Sequence, residues 1–181
     1  MVPFNPQEFP PDLLESLEHD FFIRFTTTGR RTGLPRTSET TFVWNRDTSS
    51  LIVSGYPGKR DWLANMGANP NVTLHTVERG IYYDIPTTAR VLTLRTDRIA
   101  PLIAFLDRWA TRPEAPRRVF SLIVCAIRVN RRMRLPWWGP FWLVRKLFDR
   151  MPCAQLSIVA SPTLRRSQPP ARSNQQSVEN H

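Results

Sequence analysis

The sequence predicts a mainly β, α+β protein: one small antiparallel barrel of about six or seven strands with helices at its periphery. Three observations lead there. Stretches rich in Val, Ile, Thr, Phe, Tyr and Trp recur at close spacing from Phe21 onward, separated by turns of Gly, Asn, Asp and Ser. Strands and helices do not alternate as βαβ units, and neither GxGxxG nor GxxxxGK[ST] occurs, which excludes a Rossmann or P-loop architecture. At 181 residues the chain suits a single domain large enough to bury a core.

The elements follow in order. Pro11 opens a short helix over Asp-Leu-Leu-Glu-Ser-Leu-Glu-His, because its ring already holds the helical φ. Phe21–Thr27 reads as a strand, and the glycine-bearing link Thr28–Arg36 leads to a second, Thr37–Asn45. The polar turn Arg46–Ser50 returns the chain as Leu51–Ser54. Asp61–Gly67 reads as a short helix, stopped by Gly67 and Asn69-Pro70. Strands follow at Val72–Val77, Ile81–Ile85 and Thr87–Arg95, where Pro86 fits only at a bulge or an edge. Ile99, Leu102, Ile103, Leu106 and Ala110 give helical spacing from Asp97 to Ala110. Phe141–Met151 reads as a further helix and Ala154–Ala160 as the closing strand. Residues 1–160 therefore form the expected domain, with a helical insertion at about 108–150. From Ser161 to His181 the Ser, Gln, Pro, Asn and Arg composition predicts a disordered tail.

The net charge of +10 is unevenly placed. Residues 1–107 hold 11 basic and 12 acidic side chains, residues 108–150 hold 11 and 2, and residues 151–181 hold 3 and 1. The basic segment also carries four of the six tryptophans: Trp109, Trp137, Trp138 and Trp142. Cys125 and Cys153 show no CxxC or Cys/His spacing. They read as buried free thiols in a reducing cytoplasm, and no metal site is expected. The N-terminal stretch is acidic and Pro-rich, with no basic segment before an apolar run, so no signal peptide is visible. Val119–Ile127 is far shorter than the roughly 20 residues that cross a bilayer.

The functional signal lies between Thr26 and Pro70, where two glycine-bearing turns carrying cations flank one strand pair. Arg30, Arg31 and Arg36 belong to the first; Lys59 and Arg60 belong to the second. Such a pair can converge on one long anionic ligand, since guanidinium forks match phosphate oxygens and glycine lets backbone amides approach them. Several neighbours have plainer readings. Trp62 suits a core plug, His75 a satisfied strand residue, His19 and His181 surface positions, and Asp61 an N-cap or first-turn anion. Tyr82 and Tyr83 face opposite sides of their strand.

TTTGRRTGLPRT and then SGYPGKRDWLANMGANPNV resemble the deazaflavin-dependent nitroreductase and quinone-reductase family, a branch of the split β-barrel flavoproteins. The resemblance covers residues 20–95. It implies a split barrel, a homodimer, coenzyme F420, and hydride transfer from the reduced deazaflavin to a quinone, nitro or enone-like acceptor. By motif position, Arg30, Arg31 and Arg36 would grip the phosphate and polyglutamate tail. Ser54, Gly55, Gly58, Lys59 and Arg60 would line the deazaflavin and its ribityl chain, and Trp62 and Asn65 would buttress that loop. Many members carry His-Pro before the motif tryptophan; here Gly58-Lys59-Arg60-Asp61 stands instead. Relatives also place tyrosines on a late helix, and this chain has none after Tyr83, so Ser54, Tyr56 or solvent is the expected proton donor. The alternatives are a related barrel that uses FMN and a non-enzymatic, cofactor-carrying or membrane-peripheral protein.

The segment 108–150 stays open to three readings. It can be a helical pair whose arginines keep it soluble and whose tryptophans pack on the barrel. Its cations with Trp and Phe, over 117–150, also suit attachment at the inner face of the cell membrane, near lipid-soluble quinones. Arg interleaved with aromatics could bind nucleic acid, but no RRM or helix-turn-helix signature supports that. The expected location is the cytoplasm.

Overall fold

In the computed structural model, residues 9–110 and 151–173 are described, with 122, 125, 129, 130, 132, 133, 146, 149 and 150 between them. Among these residues the order is α1 (Pro11–His19), β1 (Phe22–Thr28), β2 (Pro35–Asn45), β3 (Ser50–Ser54), α2 (Asp61–Ala68), β4 (Asn71–Thr76), β5 (Tyr82–Val91), α3 (Arg95–Ala110), β6 (Cys153–Ile158) and β7 (Thr163–Arg165). The strands pair antiparallel in the order β4-β1-β2-β3-β6-β5-β7, and an additional β4–β5 pairing closes six of them into a barrel. This is the predicted mainly β fold with peripheral helices.

Alternation along each strand fills the barrel. Ile23, Phe25 and Thr27 of β1 point inward, where Phe25 meets Phe42, Leu51, Val53, Leu74, Ile85 and Leu156 in one buried cluster. α1 adds Leu13 and Leu17 to that cluster; α2 adds Trp62 and Met66. A second cluster sits against α3, where Leu102, Ile103 and Phe105 cover Ile52, Leu92, Met151 and Cys153. Burial pushes the Cys153 thiol up to about 11, so it is an inert core residue. Cys125, expected to be buried, is exposed.

Two expectations need correction. The strands Ile81–Ile85 and Thr87–Arg95 are one strand, β5, that runs straight through Pro86. Its partner changes there: β7 pairs with Tyr82–Asp84 and β6 with Thr87–Val91. Pro86 occupies the gap, where its missing N–H breaks no ladder bond and its carbonyl accepts the Val159 N–H at 3.1 Å. The tail is the second. Residues 161–173 are not a loose end but a strap across the barrel's outer face. Its cations find carboxylates there: Arg165 pairs with Asp84 at 2.7 Å and Arg172 pairs with Glu39. Arg24 donates to the carbonyls of Pro169 and Pro170, and Ser173 exchanges hydrogen bonds with the Thr37 backbone. Residues 174–181 and most of the expected insertion at 108–150 lie outside the described residues.

Candidate functional site

The first cation-bearing turn leaves the end of β1. Gly29 N–H donates to Leu34 O and Gly33 N–H to Gly29 O, both at 2.8 Å, folding the turn back on itself. A side chain at Gly29 would meet Thr32 Oγ1 at 2.9 Å and Leu34 O at 3.1 Å, while Gly33 holds φ +68°. Both glycines are therefore required by the turn's geometry. Arg31, within the turn, and Arg36, just beyond it in β2, are exposed.

The second turn joins β3 to α2. Arg60 caps it by donating through Nε and Nη2 to Tyr56 O. Gly58 sits at φ +129° and its N–H donates to Arg150 O at 2.9 Å. Nothing among the described residues demands Gly55, because an added Cβ would meet only Pro152 Cγ there, at an ordinary 3.8 Å. Lys59 and Tyr56 are exposed, Tyr56 at 69%.

What brings the turns together is Arg30. Its backbone N–H and its Nη1 both donate to Asn65 Oδ1, at 3.2 and 3.1 Å, and its Nη2 lies 3.0 Å from Asp61 Oδ1. Asp61 and Asn65 stand one helical turn apart on α2, so one face of that helix holds the first loop. Asn65 also donates to Thr27 Oγ1 at 3.5 Å. The helix is fixed beneath by Trp62, which is 6% exposed and stacks edge-on against Phe25 at 5.4 Å. Trp62 is the expected core plug, and Asp61 sits in the first turn of α2 without capping it.

Ser54 does not join this surface. It is fully buried, and its hydroxyl donates to Pro152 O at 2.6 Å, while Thr40 Oγ1 donates to the Ser54 carbonyl at 2.5 Å. Such a hydroxyl ties β3 to the start of β6; it is not placed to hand a proton to a ligand. Sequence reasoning missed Pro152, Thr40 and Thr27 here, since no local signal marks them. Asp61 was readable, because its i,i+4 spacing to Asn65 puts both on one face.

His75 is the satisfied strand residue that was expected. Its Nδ1 lies 2.6 Å from Asp84 Oδ1 and its Nε2 lies 2.9 Å from Thr26 Oγ1, which in turn lies 3.0 Å from Thr37 Oγ1. Burial holds the imidazole below its usual pKa, against the opposing pull of Asp84. The neutral ring therefore donates from Nδ1 to Asp84 and accepts from Thr26 at Nε2. Among the described residues no cluster of His, Cys, Asp or Glu could hold a metal, and no helix is long and apolar enough to cross a membrane.

The donor set suits an anion. Among the described residues Arg31, Arg36 and Lys59 have no carboxylate partner; Arg31 lies in the first turn, Arg36 at the start of β2 and Lys59 in the second turn. Residues 14–102, from α1 into the first turns of α3, match the family model of F420H(2)-dependent quinone reductase. That region belongs to this family. The chain is thus an F420-dependent oxidoreductase, and the match assigns it F420, with FMN secondary. No curated protein matches the sequence.

Solved structures share the fold at low identity. The heme storage protein HutZ from Vibrio cholerae aligns with a TM-score of 0.52 at 13% identity, over 85% of this chain and 92% of its own. A general stress protein 26 relative of the pyridoxinephosphate oxidase family, from Clostridium acetobutylicum, gives 0.52 at 11% identity over 86% of each chain. An F420 reductase gives 0.50 at 16% identity, over 86% of this chain and 98% of its own. At these identities the likeness is one of fold.

Proposed function

We propose that the protein passes hydride from reduced F420 to a quinone-like acceptor, gripping the anionic end of the cofactor with Arg31, Arg36 and Lys59. One observation carries this reading. Arg30 binds the first turn to the helix that follows the second, which supports reading their exposed cations as one group. Arg31 and Arg36 offer planar forks to phosphate and carboxylate oxygens, and Lys59 adds a compact charge. Arg60, whose guanidinium is bound only to a neutral carbonyl among the described residues, leaves its charge to the same field. Gly55 and Gly58 keep the floor of the second turn open to a ring. Trp62 anchors the helix that follows that turn against Phe25, and Asn65 holds the first turn through Arg30.

When bound, the deazaflavin supplies the hydride; the chain supplies orientation and charge. Of the two hydroxyls singled out in the sequence, only that of Tyr56 is exposed to an acceptor, so it replaces Ser54 as the side-chain proton donor. We place the protein in the cytoplasm as a homodimer, by family analogy. The basic, tryptophan-rich stretch 117–150 is its route to lipid-soluble acceptors, and loss of binding to anionic vesicles in Trp137→Ala plus Trp138→Ala checks that part.

The central test is a fluorescence titration with F420. Charged hydrogen bonds contribute about 1.5–3 kcal/mol each, so Arg31→Ala and Lys59→Ala should each weaken binding at least ~tenfold. Wild-type affinity in both would refute the proposal. Turnover with menadione separates a reductase from a carrier.

A further inference from the structure

We infer that Asp61 is a positioning residue for cofactor binding, acting through Arg30, although it carries the same sign of charge as the ligand. The inference rests on the anion-binding reading above and deepens it. Three groups on α2 and its start hold Arg30: the Asp61 carboxylate at 3.0 Å, the Asp61 carbonyl at 3.5 Å and Asn65 Oδ1. The Arg30 backbone N–H is held by the same Asn65 oxygen at 3.2 Å. Arg30 is thus a strut between turn and helix, and its neighbours Arg31 and Arg36 carry the free charge. Asp61 is 64% exposed and Arg30 31%, so the pair adds little to the stability of the fold. What it does is restrict the turn. A polyanion approaching the cations meets them already arranged and loses less freedom on binding.

This arrangement predicts a sign that simple electrostatics reverses. Removing a carboxylate beside an anion site should tighten anion binding through the Coulomb term. Removing a strut should loosen it. Asp61→Asn is expected to weaken F420 binding about fivefold, the scale of one partly exposed ion pair. Asp61→Glu should recover most of that loss. The maximal rate at saturating F420 should not change, because Asp61 acts on affinity through its contacts with Arg30.

The experiment is a double-mutant cycle on the full-length chain, read by F420 fluorescence titration with Arg30→Ala, Asp61→Asn and the pair together. If Asp61 acts through Arg30, the double variant binds no more weakly than Arg30→Ala alone. Tighter binding by Asp61→Asn, unchanged binding, or an equal loss in the Arg30→Ala background would each overturn the inference. Arg31→Ala, titrated alongside, separates the two levels. If Arg31→Ala binds normally, the anion-site reading itself fails; if it weakens while Asp61→Asn does not, only the strut is refuted. A thermal scan of each variant shows whether the fold is intact, and the exposed Asp61 should tolerate replacement.

Discussion

Replacing Ser54 by alanine removes a hydroxyl that is fully buried and donates to Pro152 O at 2.6 Å. The substitution leaves almost no cavity, so the cost comes from the carbonyl left without a donor. Unpartnered buried acceptors cost about 1–3 kcal/mol. For a domain of this size urea lowers stability by roughly 1–3 kcal/mol per molar, so the unfolding midpoint should fall by about 0.5–1.5 M. Turnover per folded molecule should stay near wild type. The assay pairs urea unfolding, followed by tryptophan fluorescence, with menadione reduction below the transition. A fall in turnover of a hundredfold with an unmoved midpoint would place Ser54 at the reacting atoms and refute this account.

Trp62→Ala empties the space between α2 and Phe25, and by analogy with other buried aromatics should cost about 3–5 kcal/mol, seen as a large drop in thermal midpoint. Acid should weaken the fold partly through His75. Its folded pKa lies below the unfolded value of 6.5, so its contribution is present above 6.5 and is lost as pH falls below it. The stability lost on acidification across that window should be smaller in His75→Gln, and an equal loss in both proteins would contradict the buried neutral ring. Arg165→Ala should release the strap at a cost of about 1 kcal/mol or less, since the pair with Asp84 is partly exposed. Hydrogen exchange should then quicken over residues 163–173 and stay unchanged over β6.

What the sequence made legible was local. The strands β1 to β4, the helix α2 and both glycine turns carry their signals within a few residues: β-branched runs, Gly at positive φ, a stop at Asn69-Pro70. Two interactions were illegible because their partners are remote. Ser54 looks like a site residue beside Gly55 until Pro152 arrives from 98 positions away. The strap has a disordered composition, and it is Asp84, 81 positions earlier, that ties Arg165 to the barrel. Pro86 misled in the opposite sense. A proline usually marks a strand's end, but here the ladder on one side of β5 is already interrupted, so the missing donor costs nothing.

The family match ends at residue 102, yet both turns of the candidate site lean on chain beyond it. The second turn is tied by Gly58 N–H to Arg150 O, and the strand before it by Ser54 to Pro152 O. The first turn runs into Thr37, whose backbone bonds with Ser173. Residues 150–173 therefore brace each cation-bearing turn from outside the region that supplies the cations. Substitutions there should alter cofactor affinity without touching the cofactor. In the proposed reading, selectivity for the cofactor's anionic end depends on this bracing segment as well as on the cations, because charge that is not held still discriminates poorly between anions of different length.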